Sequence, residues 1–115
     1  MPPSLGDRLA HIIESIDGVK LLLSGVSLAE LAADRIRRLA LERELEIICE
    51  ASRYVPAETK ARERAIDWQR MTDLGNRLRH AYHTIQLDIL LHIAATDLPP
   101  LRAFVERVLD EEKKK

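Results

Sequence analysis

Cysteine occurs once in these 115 residues, glycine four times, and aromatic rings are limited to one Trp, two Tyr and one Phe. A lone Cys49 can form no disulfide within the chain and no paired-thiol metal site. In an apolar helical setting it reads as a small core residue. The glycines lie far apart, so there is no glycine-rich loop to cradle a phosphate, and there is no H-E-x-x-H. So few rings cannot furnish the stacking platforms of sheet-based RNA modules. No run approaches the roughly 18 apolar residues that a membrane span needs, and MPPSLGDRLA lacks the apolar core of a signal peptide. A cytoplasmic protein with no membrane contact is therefore expected. The net charge is −1, so any contact with nucleic acid must come from a local basic patch.

What is present is helical periodicity. Apolar residues make up 46% of the chain and charged ones 32%, as in an ordinary globular protein, and the length suits one domain spanning 1–115. Ser4 caps a first helix whose apolar positions Leu9, Ile12, Ile16, Val19 and Leu23 step by three and four. Ser27 and Glu30 form a capping box that starts a short helix through Ala33. Asp34 opens the longest periodic stretch, Ile36, Leu39, Ala40, Leu45, Ile47, Ile48 and Ala51, which ends before Pro56. PAETKARERA reads as a polar surface turn with a short helix. Asp67 caps a further helix with Trp68 and Met71 on its inner side, Asp88 to Thr96 is a brief one, and a last helix runs from Pro99 or Pro100 to Glu112. No period-two alternation or fixed-interval repeat occurs. The expected fold class is all-α: an up-and-down bundle of four main helices plus one or two short helices.

The densest chemistry lies in LGNRLRHAYH, Leu74 to His83. Continued as one helix, this stretch places Asp73, Asn76, Arg77, His80, His83 and Thr84 on a polar front, with Leu74, Leu78, Ala81 and Ile85 as the buried seam. Histidine exchanges protons near neutral pH and arginine grips a phosphate with two N–H groups, so Arg beside His suits acid–base chemistry at a phosphodiester. A solvated charged face is the bland alternative. His80 and His83 could share a metal, but Asp73 and Asp88 complete no recognisable ligand set, so neither metal nor other cofactor is expected. Gly75 within the helix costs about 1 kcal/mol relative to Ala, which implies either a close neighbour or a distortion.

Order and spacing of DRLAHIIESI, GVSLAELAAD, LERELEIICEA, LGNRLRHAY and DLPPLRAFVERVL make the chain resemble the HepT-like proteins. These are a branch of the HEPN superfamily of small helical ribonucleases, acting as toxins beside a minimal nucleotidyltransferase antitoxin. The resemblance implies a homodimer with an RNA substrate, a catalytic His at His80, an Asn at Asn76 and an adenylylated Tyr at Tyr82. The family's Arg falls on Gly75, so Arg70, Arg77 and Arg79 are the nearby substitutes. Arg77 shares a helical face with His80. The expected activity is metal-independent endoribonuclease cleavage carried by His80, Arg77, Asn76 and Arg79. Two alternatives stand beside it: a catalytically silent partner that presents Tyr82 to a nucleotidyltransferase, favoured by Gly75, and a helical interaction protein without chemistry.

Overall fold

The computed structural model describes all of residues 1–115 and contains helices alone. They are α1 (Leu5–Leu23), α2 (Leu28–Ala33), α3 (Arg35–Arg53), α4 (Ala57–Lys60), α5 (Trp68–His80), α6 (Leu87–Thr96) and α7 (Leu98–Lys113), with one 3₁₀ turn at Tyr82–Thr84. Four of the helices, α1, α2, α3 and α5, start at a side-chain cap. The Ser4 hydroxyl accepts from the Asp7 N–H at 3.1 Å while the Asp7 carboxylate accepts from the Ser4 N–H at 3.0 Å. Ser27 and Glu30 repeat the exchange at 3.1 Å each way. Backbone N–H donation to the carboxylates, foremost, holds both acids below the usual carboxylate range. Asp34 and Asp67 cap α3 and α5 through the N–H groups of Arg37 and Arg70, at 3.0 and 2.9 Å. Gly25, with φ of +69°, takes the left-handed conformation that turns the chain out of α1.

Asp97, the single residue between α6 and α7, cannot cap in the same way. The second and third residues of α7 are Pro99 and Pro100, which have no N–H to offer. One Asp97 oxygen instead accepts from Arg70 at 2.7 Å, and Oδ2 is left buried without a partner. The helix nonetheless begins at Leu98, earlier than the proline step suggests, and α6 begins at Leu87.

The core lies among α1, α3, α5 and α7. Leu9, Ile12 and Ile16 from α1 meet Leu41, Leu45 and Ile48 from α3, with Leu74 from α5 and Leu101, Phe104 and Val105 from α7, all buried. Burying side chains of this size contributes about 1.5–3 kcal/mol each. On α3 the sequence periodicity picked the wrong stripe in part. Ile36 and Leu39 lie about 140° and 160° around the helix from Leu41 at 100° per residue. They remain 74% and 44% exposed, because the side packed on α1 and α5 is the one carrying Leu41, Leu45, Ile48 and Cys49. Glu44, a charged residue of the same helix, turns inward. Its carboxylate accepts from the Ser15 hydroxyl at 3.3 Å and covers Gly18, where a Cβ would displace it.

The second close approach fixes α5. A Cβ on Gly75 would stand 2.9 Å from the Cβ of Cys49, so glycine is what lets α5 settle on α3. Burial, the largest cause, pushes the Cys49 thiol up to about 12, and it packs as a small protonated core group. In Gly75→Ala the overpacking costs roughly 1–3 kcal/mol against the ~1 kcal/mol gained in helix propensity, so a net loss of up to about 2 kcal/mol is expected. A denaturant midpoint raised above wild type, as helix propensity alone would give, would contradict the close approach.

Candidate active site

The helix carrying Asn76, Arg77, Arg79 and His80 stops sooner than its apolar seam suggests. Ala81 leaves the helical region at φ −137°, ψ 39°, and the chain makes a 3₁₀ turn before Ile85 runs extended. The cause is Thr84. Its N–H and its hydroxyl both donate to the Ala81 carbonyl, at 2.9 and 2.7 Å, so side chain and backbone together close a tight turn in place of another helical one. His83 and Thr84 therefore do not continue the polar front of α5, and Ala81 and Ile85 do not continue its seam. They belong to a turn folded over the helix end.

Three arginines were candidates to replace the one missing at position 75, and the structure separates them. Arg70 lies near the opposite end of α5 and pairs with Asp97 at 2.7 Å. Arg79 crosses to α3, donating to Glu50 at 2.9 Å and to the Asn76 side-chain oxygen at 2.8 Å. Arg77 donates to the carbonyl and hydroxyl oxygens of Thr84, at 2.9 and 3.3 Å. Those acceptors are neutral, so Arg77 alone of the three has no carboxylate against its charge. It stands one helical turn before His80, and both are exposed.

Gly75 itself is buried against Cys49. On this helix it lies about 140° around from His80, so an arginine there would face α3 and not the imidazole of its own chain. Asn76 is exposed, and its oxygen is occupied by Arg79. Two participants escaped sequence reasoning. Glu50 lies 29 residues from Arg79, and no local signal tied it to α5. Thr84, read on the polar front of a continued helix, instead ends that helix through its bond back to Ala81.

Tyr82 stands 68% exposed on the turn. The His83 ring is beside it, nearly perpendicular at 87° with centroids 5.8 Å apart. The molecule's two surface cavities lie elsewhere. One, of about 230 Å³, is lined by Asp67, Arg70, Asp97 and neighbours; the other, of about 280 Å³, by His11, Glu14, Ser15, Glu44 and Ile47. A polymeric substrate needs an open surface more than a cavity of that size, and the end of α5 offers one. No three His, Cys, Asp or Glu side chains gather as a metal-ligand cluster, and no helix is long and apolar enough to cross a membrane.

Residues 12–108 match the family described as ribonuclease HepT-like. The chain is 29% identical over 108 residues to "Probable ribonuclease HepT" of Thermococcus cleftensis, an alignment covering 94% of this chain and 98% of that one. It is 33% identical over 100 residues to a Methanocaldococcus jannaschii protein carrying the name "Putative RNase", covering 87% and 92% respectively. No solved structure matches.

Proposed function

We propose, for a chain that belongs to the HepT-like ribonuclease family, a metal-independent endonucleolytic cleavage of RNA at the C-terminal end of α5. The observation that carries this reading is the uncompensated Arg77 guanidinium one turn before the exposed His80. His80 takes the proton of a ribose 2′-hydroxyl. The 2′-oxygen attacks the adjacent phosphorus, the bond from phosphorus to the 5′-oxygen breaks, and the departing oxygen takes up a proton from water or a protonated imidazole. Arg77, exchanging the neutral Thr84 oxygens for phosphate oxygens, offsets the charge that grows on the phosphorane. The products are a 2′,3′-cyclic phosphate and a 5′-hydroxyl. Arg79 and Asn76 support the site by fixing this end of α5 to α3 through Glu50. Purified protein incubated with mixed RNA in EDTA should degrade it; intact RNA throughout would overturn the reading.

The cellular role that fits is the toxin of a toxin–antitoxin pair with a minimal nucleotidyltransferase as antitoxin. Tyr82 supports it, since its ring stands out on the turn where a second protein could reach the hydroxyl. In that modification the phenolic oxygen attacks the α-phosphorus of ATP, pyrophosphate leaves, and AMP stays on Tyr82. A second reading is favoured by Gly75: without an arginine at that position the chain is a silent partner that only presents Tyr82. We further propose a two-fold homodimer. The exposed Ile36 and Leu39 are apolar surface that pairing would cover, and two-fold symmetry would bring two His80–Arg77 pairs into one cleft. Light scattering at micromolar concentration is expected to give twice the monomer mass, with an interface of at least about 1,000 Å²; a monomer would contradict it.

A further inference from the structure

Three of the four aromatic rings are occupied. Trp68 and Phe104 pack edge to face at 6.0 Å, with Lys60 over the former and Arg62 and Arg107 over the latter. Tyr54, though half exposed, has the Arg8 guanidinium 3.4 Å from its ring centre. Tyr82 is the exception: it is 68% exposed, and its ring neighbour is the perpendicular His83, which engages at most one of its two faces. The turn carrying it is also held in place. Thr84 bonds back to Ala81 at 2.7 Å and receives Arg77 at 2.9 and 3.3 Å. An aromatic face kept open to solvent, on a turn closed by Thr84 on Ala81, beside a guanidinium with only neutral partners to exchange for a phosphate, is the pairing of groups that a nucleotide presents in reverse.

We propose that the Tyr82 ring, flanked by His83, is a nucleobase-stacking subsite for single-stranded RNA, next to the phosphate held by Arg77. This rests on the ribonuclease reading and adds the form of the substrate. A duplex keeps its bases stacked on one another and can offer none to a ring on a protruding turn, whereas an unpaired base can be laid on it. The contact uses a π-face and not a hydrogen bond, so it tolerates any base. The phenol hydroxyl takes no part in it.

The test is a binding titration with a fully 2′-fluoro RNA oligonucleotide, which lacks the attacking hydroxyl and survives, used single-stranded and annealed to its complement. The wild-type chain is compared with Tyr82→Ala, Tyr82→Phe and Arg77→Ala. Stacking is worth about 1–3 kcal/mol per base, so Tyr82→Ala is expected to weaken single-strand binding roughly five- to 150-fold, while Tyr82→Phe binds like wild type. Duplex affinity should be unmoved by either Tyr82 change. Equal binding by Tyr82→Ala and wild type, with Arg77→Ala still weakened, would overturn the stacking subsite and leave the ribonuclease reading standing. Equal losses in Tyr82→Phe and Tyr82→Ala would overturn it too, because the hydroxyl and not the ring would then make the contact. Absence of any RNA binding by the wild-type chain would sink both together.

Discussion

His80→Ala is expected to slow RNA cleavage by about 10² to 10⁴, the range a positioned general base supplies, while EDTA leaves the wild-type rate where it was. The imidazole is exposed at the last residue of α5, so its truncation removes no core contact, and unfolding should proceed at the wild-type midpoint. A loss of activity with an unchanged midpoint assigns the effect to chemistry. The indifference to chelator follows from the lack of a ligand set, since no three His, Cys, Asp or Glu side chains gather, and the carboxylates nearest the basic groups are largely paired. Glu50 holds Arg79 and Arg53, Asp73 accepts from Gln69, and Asp97 holds Arg70. A rate that collapses in EDTA would move the chemistry to a metal-activated water and away from His80 as base.

Arg77→Ala should cost on the order of 10² to 10³ in rate, by analogy with removing one donor that stabilises charge in a transition state. Arg77 also braces the Tyr82–Thr84 turn, so a control must separate the two roles. Thr84→Ala removes the hydroxyl that bonds both Arg77 and Ala81 but leaves the guanidinium in place. It is expected to lower the rate far less than Arg77→Ala does. Arg77→Lys keeps the charge but loses the two-pronged fork, and should fall between. If Thr84→Ala proves as damaging as Arg77→Ala, the arginine acts by holding the turn and the phosphate has another partner.

The caps and most of the helices were legible in the sequence because their causes are local. Ser4 with Asp7, Ser27 with Glu30, Asp34 and Asp67 each sit three residues from the group they bond, and α1 falls on the expected residues, Leu5 to Leu23. Family membership was legible as well, since order and spacing of helical segments survive substitution. What could not be read depends on neighbours distant in sequence. Which side of α3 is buried is decided by where α1 and α5 lie, so Ile36 and Leu39 looked like core and are surface. The pairing of Arg79 with Glu50 has the same character. So does the fit of Gly75 on Cys49, although glycine in mid-helix announced that something came close. The end of α5 was a competition between an apolar repeat that would continue the helix and a threonine side chain that could close a turn. The threonine won, and with it Tyr82 came to the surface.

The most direct measurement is of the ends left on the RNA. Wild-type protein and His80→Ala are incubated with a single-stranded RNA in EDTA, and the 3′ termini of the products are identified by mass spectrometry. The account predicts 2′,3′-cyclic phosphate ends that accumulate with the wild-type chain and are nearly absent with His80→Ala. Termini carrying a 3′-hydroxyl, or equal product from both proteins, would contradict it.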